Sequence, residues 1–454
     1  MCRSGKLAAL FVARKVNTCN REIASARSRR PHFPRLGRDQ PLFRLPAFLA
    51  ASPRLAFFTL AATAASGFGQ TFFVSIFGGE IREGFGLSHT AYGSLYSAAT
   101  LLSAALLLRY GSLVDRWSLP RVTALAIVIL ASGCLLVGLA PSAILLGVGF
   151  LGIRFGGQGM VSHVGMTTAA RYFSAQRGKA VAMAAAGFPL AEAVLPASAA
   201  LLLGWVGWRL PWVASAAILV VLVLPLLTWL SRNAPPLGEI LDNQRGDSQS
   251  GLVINHFTRA QVLRDPGFYL ILPATLITPF IITALFFHQI ALASELDWTL
   301  RMLGAGFSLY AVCHLASLLA AGILVDRLTA GVALPLALVP VIIGLIGLAF
   351  LPPAVALFVY MGLLGVAHGS TSTAGNSIWA ERYGILHLGA IRSMNQAVMV
   401  VATAVAPILL GFLLDQEVGV PVLAASLAAL AAIAAFTARI GSTRDGKRAR
   451  AAGD

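Results

Sequence analysis

From Leu55 onward the chain alternates between apolar stretches of about twenty residues and short polar interruptions. A stretch of that length, coiled as a helix, crosses a bilayer core of about 30 Å. In hydrocarbon every backbone N–H and C=O must be satisfied within the segment, and a helix does this. The pattern predicts spans over about 55–77, 90–109, 120–140, 142–170, 180–203 and 211–230. A second set follows over about 267–290, 300–325, 332–351, 354–380, 388–414 and 419–439. The expected fold class is therefore an all-α membrane protein of twelve transmembrane helices in two six-helix repeats. Its parts are a basic tail (1–50), a first bundle (51–230), a linker (231–265), a second bundle (266–440) and a basic tail (441–454).

The repeat is visible in single residues. Gly111-Ser-Leu-Val-Asp115-Arg116 follows the second span, and Gly322-Ile-Leu-Val-Asp326-Arg327 follows the eighth, 211 residues later. Gly93 with Gly304, Pro196 with Pro407, and Arg171-Tyr172 with Arg382-Tyr383 keep the same spacing. A period this long marks two copies of one large unit, and duplicated membrane bundles are characteristic of transporters.

Composition agrees and sets an orientation. Hydrophobic residues make up 57% and charged residues 11% of the chain, against about a quarter charged in soluble proteins. The net charge of +16 invites a nucleic-acid reading, but the distribution of the basic residues excludes it. Arg116, Arg121, Arg171, Arg177, Lys179, Arg232, Arg245, Arg259, Arg264, Arg327, Arg382 and the tail from Arg439 to Arg450 fall on one side. The loops of the other side keep Arg82, Arg209 and Arg301 beside Glu80, Glu83, Glu295, Asp297, Asp415 and Glu417. By the positive-inside rule both termini are expected in the cytoplasm, and the chain in the plasma or inner membrane. Residues 1 to about 45 read as a disordered basic tail, and Cys2, Cys19, Cys134 and Cys313 lack metal-ligand or paired spacing.

Gly-x-Leu-x-Asp-Arg in the loop after the second span, with its echo after the eighth, resembles the signature of the major facilitator superfamily. Arg154-Phe-Gly-Gly-Gln158-Gly159 resembles a motif of its fourth helix. Gly69-Gln70-Thr-Phe-Phe and the run from Arg171 to Pro196 are similar to the branch of monocarboxylate and oxalate/formate carriers. The resemblance covers about 50–440 and implies alternating access. It also implies a set of charge contacts on the cytoplasmic side that stabilise the outward-open state. Asp115, Arg116 and Arg171 would form that set together with Asp326, Arg327, Glu381 and Arg382, with Gly111 and Gly322 as the glycines of the two motif copies. Two departures stand out: the paired glycines of drug exporters are missing from the fifth span, and the eighth carries His314 where relatives often have charged residues.

Polar groups at membrane depth are expensive and face a cavity or a partner. The third, sixth, ninth and twelfth spans carry no charged, His, Asn or Gln residue and should face lipid. The others hold the pathway candidates: Gln70, Arg154, Gln158, Glu192, His288, Gln289, His314, His368, Asn376, Asn395 and Gln396. Arg154 and Glu192 sit at comparable depth on consecutive spans. Two readings stay open for them, a buried structural pair or an anion attractor beside a proton acceptor. His163, nine residues after Arg154, should point away from it.

These features predict a secondary carrier of a small solute, an organic anion in the first instance, with protons as the coupling ion. A proton-driven exporter of drugs or other lipophilic compounds is the alternative within the class, and a non-transporting sensor on a carrier scaffold the alternative outside it. The chain has no Gly-x-x-x-x-Gly-Lys-Ser/Thr phosphate loop. The scattered His163, His314 and His368 lack the spacing of metal ligands or of a nucleophile–base set, so an enzyme is not expected. No cofactor, metal or nucleic acid is expected either. The expected partners are the solute, the lipid bilayer and protons, with the carrier acting as a monomer.

Overall fold

The computed structural model describes residues 52–173, 177–235, 257–384 and 388–451. The tail predicted over 1–50 and most of the linker lie outside the described residues. Eleven helices are long and apolar enough to cross a membrane, and a bent pair, Pro53–Gly69 with Thr71–Phe85, makes twelve. In chain order α1 is that pair, α2 His89–Tyr110, α3 Leu119–Leu139, α4 Ala143–Tyr172, α5 Lys179–Val206 and α6 Arg209–Ser231. The second half contains α7 Pro266–Phe287, α8 Leu300–Leu328, α9 Ala330–Phe350, α10 Pro353–Tyr383, α11 Leu388–Asp415 and α12 Val420–Ala451.

Three boundaries differ from the sequence expectation. The span expected over 55–77 is a broken helix that runs on to Phe85, because Gly67 and Gly69 weaken it and Gln70 is extended (φ −90°, ψ 156°). The linker's last residues fold as a short helix, Arg259–Leu263, started by a capping box of Thr258 and Gln261. The tail expected from 441 continues α12 without interruption to Ala451.

Lipid tails are as apolar as leucine, so little hydrophobic drive holds these helices together, and close packing of small residues takes its place. A methyl group added at Gly133 of α3 would lie 2.5 Å from the backbone N of Ile153 in α4. One added at Gly365 of α10 would lie 2.3 Å from the Tyr310 carbonyl of α8. α3 packs on α4 and α6, and α9 on α10 and α12, each inside its own half. Outward-facing Val221, Leu222, Phe350 and Phe436 on α6, α9 and α12 are 62–78% exposed, as a lipid-facing position requires.

The halves meet along α1 with α7, α2 with α11, and α5 with α8. Among the described residues, the hydrogen bonds and ring contacts that join them run from mid-membrane to the face carrying the α1–α2, α7–α8 and α11–α12 connections. Tyr92 and Tyr96 pack on Phe287 at 4.5 and 4.4 Å between ring centres. Ser308 bonds the Ala193 carbonyl at 3.3 Å. The acidic face is therefore closed, and the hydrogen bonds seen among the described residues at the basic face, such as Tyr172 with Pro235 and Arg382 with Asp265, lie within one half.

Candidate functional site

Two irregular helices meet at the centre of the first half. The break in α1 leaves carbonyls without their usual helical donors, and α4 widens into a π-helical segment over Arg154–Val161. Such segments recur at functional sites. The two touch backbone to backbone: a methyl at Gly69 would lie 2.1 Å from the Ile153 carbonyl and 2.9 Å from Gly157 Cα. Only glycine fits there.

Arg154 sits at that junction, 1% exposed. Its Nε donates to Thr100 Oγ1 at 3.1 Å, and Nη1 donates to the Gly69 carbonyl at 3.3 Å. Its guanidinium carbon lies 4.9 Å from the centre of the Tyr96 ring, whose hydroxyl bonds Thr71 across the α1 break at 2.9 Å. Among the described residues no carboxylate reaches Arg154. The cation is held by neutral acceptors and a π face. Gln158 lies one turn on, half-buried; Gln70, also half-buried, forms the break itself. His163 is within 3.5 Å of Thr167.

The pairing of Arg154 with Glu192 that their depth allowed does not form. Glu192, 4% exposed, turns instead to the other half, where its Oε2 is 2.7 Å from Nδ1 of His314. Equal depth on consecutive helices was satisfied, but the side chains point to different neighbours. The His314 ring stacks on His368 at 4.0 Å between centres, and the His368 Nδ1 is 2.5 Å from the Tyr310 hydroxyl. Gly365 and Gly369 make this possible: without side chains they let α10 press onto α8 at the His314 carbonyl. A chain of polar groups, Glu192–His314–His368–Tyr310, thus links α5, α8 and α10. One ligand atom from each of Glu192, His314 and His368 lies within 4.8 Å of the others. The two rings are stacked only 25° from parallel, so their lone pairs do not converge on one point, and a shared metal ion would require both to turn.

The remaining candidates scatter. His288 and Gln289, just past the end of α7, are 3% and 0% exposed. His288 Nε2 is 2.9 Å from the Pro407 carbonyl, and Gln289 Oε1 accepts from the Tyr360 hydroxyl at 2.9 Å. The Gln289 amide nitrogen has no partner among the described residues. Asn395 Oδ1 accepts from Thr275 at 2.9 Å, tying α11 to α7. Asn376 is exposed, with Oδ1 accepting from Arg392 at 2.6 Å, and Gln396 is exposed. Thr100, Tyr96 and Tyr310 carry only hydroxyls, which do not stand out in an apolar run as charged, His, Asn or Gln side chains do. Tyr310 lies one helical turn before His314, a spacing visible in the sequence.

The family model for the Major Facilitator Superfamily matches residues 59–354 and, a second time, 274–453. The chain belongs to this superfamily. It is a multi-pass membrane transporter of a small solute. No curated protein matches the sequence significantly. Among solved structures, it is similar to a bacterial homologue of the human lysosomal transporter Spinster, inward-facing and unoccupied. Identity is 17%, coverage is 86% of this chain and 93% of that one, and the TM-score is 0.61. The occupied form of that homologue matches at 14% identity, covering 88% and 95% of the two chains, with a TM-score of 0.60. A point mutant of the nucleoside transporter NupG matches at 13% identity, covering 86% and 99%, with a TM-score of 0.66.

The two superfamily signature loops have diverged in shape. Gly111 ends α2 and a short helix, Leu113–Arg116, follows, with Arg116 exposed. Gly322 and Arg327 instead stay inside α8, which is helical to Leu328. The side chains of Asp115 and Asp326 lie outside the described residues, and Arg171 is half-buried. Glu381 accepts from the Ala330 N–H with both oxygens, at 2.9 and 2.8 Å, capping α9. Arg382 donates to Asp265 at 2.7 Å, and the Tyr383 hydroxyl donates to the same carboxylate at 2.8 Å. These contacts hold the second half together at the basic face. Burial acts to raise the Asp265 carboxyl, but the bonds from Arg382, Tyr383 and the Gly267 N–H outweigh it and hold the group below its ordinary value.

Proposed function

We propose that this transporter moves a small organic anion by alternating access with proton coupling, in the manner of the monocarboxylate-like branch that its motifs resemble. The observation that carries this reading is Arg154: a guanidinium buried at the meeting point of two irregular helices, with no carboxylate beside it among the described residues. An uncompensated charge at membrane depth is costly. Discontinuous helices at mid-membrane are where carriers build substrate sites. A bound carboxylate would supply the missing charge, and Gln70 and Gln158 would supply neutral hydrogen bonds around it. Thr100 and Tyr96 of α2 hold Arg154 while the acidic face is closed, so movement of α2 would free its donors.

The proton-coupling role falls to Glu192 and His314. A carboxylate bonded to an imidazole across the interface of the halves gains or loses that link with one proton, and Tyr310 with His368 extends the hydrogen-bonding chain. If both termini lie in the cytoplasm, as the basic loops lead us to propose by the positive-inside rule, the closed acidic face makes the state described here inward-facing.

The test is ligand-induced thermal stabilisation of the purified protein. Short-chain carboxylates are expected to raise the Tm of the wild type in proportion to mass action. Arg154→Gln is expected to weaken the response at least about tenfold, the scale of a lost charge-assisted bond. Stabilisation by lipophilic cations and by no carboxylate would instead support the exporter reading.

A further inference from the structure

Asp415 is an unusual last residue for a helix. It ends α11, where its negative charge meets the partial negative charge of its own helix terminus, an unfavourable arrangement. Its carboxylate is turned to the other half of the molecule. Oδ1 accepts from the His89 N–H at 2.9 Å, and Oδ2 accepts from the Thr90 N–H at 2.8 Å. These are two of the orphan donors at the start of α2. The helix's own cap, Ser88, satisfies a third, the Ala91 N–H at 3.1 Å.

The backbones around this contact are pressed together. A methyl at Gly411 would lie 2.6 Å from the His89 carbonyl, and one at Gly93 would lie 2.5 Å from the Pro407 carbonyl. The carboxylate therefore reaches the α2 terminus only while α2 and α11 are in contact. Among the described residues the arrangement occurs once. In the repeat, Ser88 corresponds to Thr299, which caps α8 through the Met302 N–H at 3.2 Å. Asp415 corresponds to Gly204, where an added methyl would meet nothing within 4 Å. Glu295 also caps a neighbouring helix, at Val420, but within its own half.

We infer that Asp415 is a positioning residue of the transport cycle: its carboxylate clasps the N-terminus of α2 and holds the acidic face of the carrier shut. The clasp uses two main-chain donors, with the Thr90 and Ser88 hydroxyls beside the same carboxylate, and needs no hydrogen bond from the side chain of His89. Opening this face breaks two charge-assisted bonds and returns the carboxylate to the end of its own helix. Loss of the clasp shifts the balance of the two states toward opening at the acidic face.

The experiment uses the full chain in lipid nanodiscs, with its four cysteines replaced and spin labels attached at Ala91→Cys and Gln416→Cys, both exposed positions. The parent should show mainly the short distance. Asp415→Ala should enlarge the long-distance population by about tenfold, the scale of a charge-assisted bond to the backbone. Asp415→Asn should fall between the two. His89→Pro removes one donor at a helix position that accepts proline and should open the face further than His89→Ala, which loses only the ring contact with His288 across the halves, 5.7 Å between centres. The Asn and Pro variants decide the matter if Asp415→Ala does not fold. Distances unchanged in both Asp415→Asn and His89→Pro would overturn the proposal, as would equal opening by His89→Ala and His89→Pro.

Discussion

At the scale of single residues, the molecule separates its charges by task. Arg154 is satisfied by a hydroxyl, a carbonyl and an aromatic face, whereas Arg382 is fully matched by a carboxylate. The first arrangement leaves a cation able to accept an anion; the second is a fastener. Asp265 in the fastener has a depressed titration, so its contribution is complete above the ordinary carboxylate value of 3.8 and is lost as pH falls through its lower folded value. Thermal stability should therefore drop as the pH is taken below about 4. The Asp265→Asn variant should show a lower Tm at neutral pH and a flatter acid profile; an unchanged profile would remove the fastener from the account. Tyr310→Phe strips His368 Nδ1 of its partner and should cost about 1–3 kcal/mol of stability, the penalty of an unsatisfied buried polar group, read by chemical denaturation.

At the scale of elements, glycine decides where helices bend and where they touch. The Gly67–Gly69 run breaks α1, and Gly365 and Gly369 bring α10 onto α8 so that the two histidines stack. Gly365→Ala should push these helices apart, lower stability by about 1–3 kcal/mol and slow transport, because the His314–His368 contact is lost with it. A Tm and a transport rate both equal to wild type would contradict the close-packing argument. The sequence made most of this legible. Twelve apolar stretches of spanning length, the 211-residue repeat and the polar-free third helices gave the fold. Arg154, Glu192 and His314 were identifiable because a charged or imidazole group inside an apolar run is conspicuous. Their partners were not. Depth along a helix can be counted from the sequence, but the direction of a side chain depends on the neighbouring helix, and the π-helical turn in α4 shifts that direction further. Hydroxyl partners such as Thr100 were hidden because threonine is common in membrane helices. Asp415 was read only as a loop charge, since nothing local indicates that it caps a helix 325 residues away in the chain.

At the scale of the whole molecule, two similar halves carry different equipment. The first half holds the unpaired cation and the broken helix. The second supplies the histidine pair, and the residues matching Arg154 and Glu192 across the repeat are Gly365 and Thr403. The halves are joined at mid-membrane by Glu192 and His314 and at the acidic face by Asp415. On the proposed function, the substrate site would lie in the first half and the proton-dependent link at the interface. Anion movement and proton movement would then be coupled because both would depend on the halves separating. The most direct measurement is uptake of a radiolabelled monocarboxylate by proteoliposomes under an imposed proton gradient, for wild type and Glu192→Gln. Accumulation above equilibrium should follow the gradient in wild type, while Glu192→Gln should exchange the anion across the membrane yet fail to accumulate it. Anion flux indifferent to the gradient in wild type, or equal accumulation by the variant, would contradict the account.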